Sequence, residues 1–167
     1  MCVILACYDK LPTEQQILKG ATENDDGGGV AWITPQGTVR WKKGLTGPEV
    51  IKLLKSKEIK PPCLIHFRVA SSGEVTKELT HPFPLTPGAE CDLEGEVPGD
   101  QGVLMHNGTF HIWKSMLRDA VERSGGRLRL PDGPWNDTRA LAWMAGNFGQ
   151  GYLSLLDLPP NKVAVLR

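Results

Sequence analysis

The chain has 167 residues, of which 40% are hydrophobic and 23% charged, with 19 basic and 19 acidic residues and no formal net charge. That length and apolar content fit one domain, residues 1–167, with a core of its own, and exclude a disordered chain. The charge balance offers no basic excess for nucleic acid or an anionic membrane, and no apolar run approaches the roughly 18 residues of a membrane helix.

Val3 to Ala6 is too short for a signal-peptide core and no basic segment precedes it, so a cytoplasmic protein is expected. The four cysteines, Cys2, Cys7, Cys63 and Cys91, contain no C-x-x-C pair. They are expected as free thiols rather than as a zinc ribbon. His66, His81, His106 and His111 match no standard ligand spacing, so neither metal nor cofactor is expected.

Residues 2–8 read as a short buried strand, with Cys2, Ile4 and Ala6 on one face and Val3, Leu5 and Cys7 on the other. A short helix is expected over 13–19. Asn24 to Gly29 reads as a tight turn, and 30–34 with 38–41 as a hairpin around Pro35-Gln36-Gly37. Thr46 and Glu49 fit a capping box with Pro48 in the first turn, opening a helix to about residue 56. Cys63 to Ala70 is the next strand. Its Ile65, Phe67 and Val69 share an apolar face, which puts His66 and Arg68 together on the opposite one, and the pattern alone favours a solvated edge for them.

Residues 85–101 are loop-rich and acidic, and Val103 to His106 is a strand ending at Asn107-Gly108, a common hairpin turn. Ile112 to Val121 has helical spacing and stops at Gly125-Gly126. Asn136-Asp137-Thr138 opens another helix, where Asp137 would also serve as an ordinary N-terminal acid. Residues 152–158 and 162–166 read as closing strands. The mixture of strands, hairpins and helices predicts an α+β or layered sandwich fold.

Removal of Met1 would leave Cys2 with both a thiol and a free α-amine. The thiolate is the nucleophile of cysteine chemistry, and an α-amine with an ordinary pKa of roughly 7.7–8.0 suits the role of its base. On position alone a cysteine near the start of a buried strand is more often a structural residue than a nucleophile. The motif order decides between them. Cys2 is followed by Asp26-Gly27-Gly28-Gly29, His66-Phe67-Arg68-Val69-Ala70-Ser71-Ser72-Gly73, His81-Pro82-Phe83, His106-Asn107-Gly108 and Asn136-Asp137-Thr138-Arg139.

This series resembles the class II glutamine amidotransferase domain, an N-terminal nucleophile (Ntn) hydrolase, of the small stand-alone type. The resemblance spans residues 2 to about 145. It implies a four-layer α/β/β/α sandwich of two antiparallel sheets. It implies Cys2 as nucleophile, Asn107 and Gly108 as oxyanion hole, Arg68 for the substrate α-carboxylate and Asp137 for its α-ammonium. Ser71 and His81 fall in the motifs expected to line the substrate pocket, and Asp26, Gly27, Gly28 and Gly29 in a loop near the nucleophile. Many synthetase-linked members carry tryptophan and histidine where this chain has Val69 and Ser72.

The expected activity is hydrolysis of glutamine to glutamate and ammonia through a Cys2 thioester. A separate ammonia-accepting synthetase is a possible partner. Two other readings stay open: an Ntn amidohydrolase for another γ-glutamyl or amide substrate, and a non-catalytic binding or regulatory domain that keeps the fold.

Overall fold

The computed structural model describes residues 2–156 and 161–167. It is an α+β fold with two antiparallel sheets. The larger holds β1 (Val3–Cys7), β2 (Gly28–Ile33), β3 (Thr38–Leu45), β4 (Cys63–Phe67) and β5 (Glu94–Pro98) in the order β1-β4-β2-β3-β5. The smaller runs β6 (Phe83–Pro84), β7 (Val103–Asn107) and β8 (Lys162–Leu166), with β7 central. Four helices accompany them: α1 (Glu14–Glu23), α2 (Gly47–Lys55), α3 (Trp113–Arg123) and α4 (Asp137–Phe148).

Three apolar clusters hold these parts together. Ile17 of α1 and Val50 of α2 pack on Val30, Trp32, Ile65 and Phe67 of the larger sheet. The opposite face of that sheet, with Ala31, Val39, Trp41 and Leu64, meets Val103, Met105 and Leu166 of the smaller one. The far side of the smaller sheet, through Phe83 and Leu104, packs on Leu117 of α3 and Leu141 to Ala145 of α4. Burial of apolar area on this scale is the main favourable contribution to folding.

Local chemistry explains the helix starts. Thr46 and Glu49 form the expected capping box, and Thr13 with Gln16 forms a second one ahead of α1. Asn136 caps α4 by accepting from the Arg139 N–H at 2.8 Å.

Several expectations are corrected. The helix expected over 13–19 runs to Glu23. β1 lies at a sheet edge and is half-buried, and Cys2 precedes it rather than belonging to it. The faces of β1 are as expected, with Ile4 toward the smaller sheet and Val3, Leu5 and Cys7 toward α1 and α2. β4 stops at Phe67, so Arg68 to Ala70 leave the strand.

Asp26 and Gly27 form a turn, but Gly28 and Gly29 begin β2, where they allow close approach. A Cβ on Gly29 would stand 1.9 Å from the His81 carbonyl oxygen. The acidic loop 85–101 contains β5, recruited by pairing with β3. Asn107-Gly108 leads toward α3 rather than into a hairpin. Gln150–Leu156 is a 3-10 helix, not the start of a strand, and the end of the expected strand at 157–158 lies outside the described residues. No helix among the described residues is long and apolar enough to cross a membrane.

Candidate active site

The two sheets bring distant segments to one end of their interface. Cys2 sits just before β1, which pairs with β4 so that Val3 faces Phe67. That register sets Cys2 beside the chain leaving β4. The Cys2 Sγ accepts from the Val69 N–H and donates to the Val69 carbonyl, both at 3.2 Å. Ionisation would keep the first contact and make the second repulsive, so the thiol proton has to be taken by another group. Val69 acts here through its backbone.

Arg68 is buried, and its guanidinium donates to the carbonyls of Glu74 and Ser72, each at 2.9 Å. Ser72 therefore also contributes a backbone group at its altered position. Burial lowers the Arg68 pKa, while the nearby Asp26, Cys2 and Asp137 groups act in the opposite sense. The guanidinium stays charged throughout. Asp26 anchors the same segment from behind. Its Oδ2 accepts from the Ala70 N–H at 2.7 Å, and the Gly27 carbonyl accepts from the Arg68 N–H at 2.9 Å. Gly27 takes φ +103° to make this turn. Asp26 to Gly29 thus support the site without lining it.

Asn107, the last residue of β7, donates from Nδ2 to the Cys2 carbonyl at 2.8 Å. Gly108 follows at φ +128°, and a Cβ there would lie 2.1 Å from Asn161 Oδ1. Only glycine fits this backbone. Asp137 opens α4. Its Oδ2 accepts from the Phe110 N–H at 2.8 Å and its Oδ1 from the Thr138 N–H at 3.0 Å. The solvated-edge reading of His66 and Arg68 is wrong, because the smaller sheet covers that face and both residues are buried.

Cys2, Arg68, Ser71, His81, Gly108 and Asp137 line one pocket. As it stands the pocket encloses about 10 Å³, room for about one water molecule. Ser71 Oγ and Thr109 Oγ1 share a hydrogen bond of 2.8 Å that ties the loop after Arg68 to the loop after Gly108. A net hydrogen bond contributes about 0.5–1.5 kcal/mol. Ser71→Ala is therefore expected to speed alkylation of Cys2 by iodoacetamide roughly two- to tenfold. An unchanged rate would mean that access to the thiol does not pass between these loops.

No family model matches the chain. No curated protein is recognisably similar to it. The residues Cys2, Arg68, Ser71, His81, Gly108 and Asp137, which stand far apart in the sequence, nonetheless meet at one pocket.

Sequence reasoning named His81, which lines the pocket, but not the contacts that surround it or the parts taken by His66, Thr109, Thr138 and Asn161. His66 and His81 stack with ring centroids 4.0 Å apart, and the His106 N–H donates to His81 Nδ1 at 3.4 Å. His106 Nδ1 lies 3.2 Å from Thr138 Oγ1 and 4.0 Å from Asp137 Oδ2, and its Nε2 lies 3.1 Å from Asn161 Oδ1. Burial lowers the His66 pKa to about 3 and that of His81 well below the usual range, so both rings are neutral near pH 7. His66 and Arg68 share a strand face in the sequence pattern, which signals proximity. Nothing local signals Thr109 or Asn161. Cys7 and Cys63 are buried in the cluster under α1 and α2, and Cys91 is half-buried; all are free thiols.

Proposed function

We propose that the chain is a class II glutamine amidotransferase domain with an Ntn-hydrolase fold, a four-layer α/β/β/α sandwich, and that it hydrolyses the glutamine side-chain amide. One observation carries the reading: four separated segments deliver Cys2, Arg68, Asn107-Gly108 and Asp137 to the same small region. The three apolar clusters, in the order helices, sheet, sheet, helices, support the fold assignment.

A free amino acid is a zwitterion, so its pocket needs one fixed cation and one fixed anion. Arg68 and Asp137 supply both charges. Removal of Met1, which lies outside the described residues, frees the Cys2 α-amine. That amine takes the thiol proton, directly or through a water. The thiolate attacks the side-chain carbonyl carbon, and the Asn107 amide and Gly108 N–H hold the developing oxyanion. The C–N bond breaks as the amine returns its proton to the departing ammonia, leaving a γ-glutamyl thioester. Water then hydrolyses the thioester to glutamate. No metal or cofactor enters this chemistry.

The test is direct. Protein shown by intact mass to lack Met1 is incubated with glutamine, and glutamate and ammonia are measured in a 1:1 ratio. Processed protein that releases neither overturns the proposal. A second reading, hydrolysis of another γ-glutamyl or amide substrate, draws support from the side chains at Val69 and Ser72. A substrate panel separates the two: turnover of free glutamine alone removes the second. A separate ammonia-accepting synthetase remains the proposed partner, and its docking would raise the glutaminase rate.

A further inference from the structure

The candidate site contains a buried histidine that the mechanism above leaves without a role. His66 lies on β4, fully buried, one residue from Phe67 and opposite Ile4 across the strand pair. Its Nε2 is 3.1 Å from Asn107 Oδ1. Its Nδ1 is buried and meets no hydrogen-bond partner among the described residues, although the His106 backbone lies near enough to the ring to act against the effect of burial. An unpartnered buried ring nitrogen is costly, and a phenylalanine of similar shape would avoid it. What histidine supplies here and phenylalanine lacks is the Nε2 contact with Asn107.

Elementary chemistry fixes every proton in this chain of contacts. The Cys2 carbonyl can only accept, so the Asn107 amide must turn its Nδ2 toward it. Asn107 Oδ1 then faces His66, and an amide oxygen can only accept. The hydrogen must therefore sit on His66 Nε2, leaving Nδ1 as the bare nitrogen. The Nδ1–H tautomer would set two lone pairs against each other. Without a donor at that point, the Cys2 carbonyl alone would hold the Asn107 amide, and its Oδ1 would be left without the His66 contact that fixes the other end.

We infer that His66 is a positioning residue: through an Nε2–H bond to Asn107 Oδ1 it locks the Asn107 amide with its N–H groups toward Cys2, where the oxyanion forms. This rests on the proposed glutamine hydrolysis for its kinetic consequence, but not for the proton arrangement itself. Burial keeps the ring neutral, so the lock does not release on mild acidification. His81, stacked on the same ring, covers its other side.

Two measurements test it. The first needs no activity: in protein with ¹⁵N-labelled histidine, two-bond ¹H–¹⁵N spectra report the tautomer of each ring. His66 is expected as the neutral Nε2–H form from pH 5.5 to 8, and Asn107→Ala is expected to remove that preference. A His66 found as Nδ1–H, or protonated in this range, overturns the inference whether or not the chain hydrolyses glutamine. The second is kinetic. His66→Phe is expected to lower kcat about 10- to 100-fold, part of the roughly 10²–10³ that outright loss of an oxyanion donor costs. KM should stay within about threefold, and alkylation of Cys2 by iodoacetamide, which uses no oxyanion hole, should be unchanged. His66→Gln, whose amide N–H reaches nearly the same point, should recover most of the rate. An unchanged kcat in His66→Phe overturns the positioning role, and so does a parallel loss of kcat and alkylation, which would mark a general collapse of the site. Failure of the wild-type protein to turn over glutamine bears on the proposed function instead.

Discussion

Replacing Cys2 by alanine is expected to reduce glutamine hydrolysis by at least about four orders of magnitude, to the level of the uncatalysed reaction plus residual binding effects. The reason lies in what remains. Arg68 and Asp137 would still hold the zwitterion and Asn107 would still face the reacting carbonyl, but no group at the pocket floor could form the acyl intermediate. The loss should appear in kcat, with glutamine binding retained, because the thiol contributes little to ground-state affinity. Stability should change little. Cys2 is half-buried and its sulfur contacts only the Val69 backbone, at 3.2 Å on each side. Cys2→Ser is the sharper variant, since it keeps those contacts and replaces only the nucleophile. Retention of Met1 should reproduce the same defect with the thiol intact, because it removes the free amine. Ammonia release by Cys2→Ala at the wild-type rate would assign the chemistry to another group.

The parts of this fold that local chemistry dictates were legible in the sequence. Thr46 with Glu49 marks the start of α2, and Asn136 marks that of α4, because capping is a contact between residues three apart. The alternation in 63–67 separated Ile65 and Phe67 from Leu64 and His66 correctly. What the opposite face meets was not legible. A histidine and an arginine beside an apolar stripe read as a wet edge, yet Asn107 of β7, some 40 residues later, meets His66, and Arg68 is buried against the carbonyls of Ser72 and Glu74.

β5 was hidden for the same reason. Glu94 and Glu96 look like loop, and they become strand by pairing with β3, where Lys42 and Arg40 lie across from them. These exposed pairs add at most about 1 kcal/mol each; the cross-strand backbone bonds make the strand. Residues 150–156 show the converse error, with leucines that suggest a strand forming a 3-10 turn that packs Tyr152 on Phe148 of the preceding helix. In the candidate site, Cys2, Arg68 and Asp137, singled out by type and order, do meet at one pocket. The contacts of His66, Thr109 and Asn161 were not readable, since their partners lie far away in the sequence.

Asp137→Asn is expected to raise the KM for glutamine roughly 100-fold or more while also weakening the fold, and the two effects have separate causes. The first is charge. A truncated charge pair in a desolvated site typically costs about 2–5 kcal/mol, and Asp137, 4% exposed, is the anion available to an α-ammonium there. The second is hydrogen-bond parity. The two carboxylate oxygens accept from two backbone donors, the Phe110 and Thr138 N–H groups. Asparagine has one acceptor, so in either orientation its NH₂ confronts an N–H donor. That mismatch should lower stability by about 1–3 kcal/mol, read by denaturant unfolding.

The substrate side can be isolated with 4-carbamoylbutanoate, which is glutamine without its α-amine. The wild-type protein should prefer glutamine over this analogue by a large factor in kcat/KM, and Asp137→Asn should nearly erase the preference because only the ammonium contact differs between the two. Stability loss lowers the rate with both substrates alike and leaves their ratio untouched. A preserved ratio in Asp137→Asn would therefore remove Asp137 from substrate recognition and leave it as the residue that joins the Gly108 loop to the start of α4.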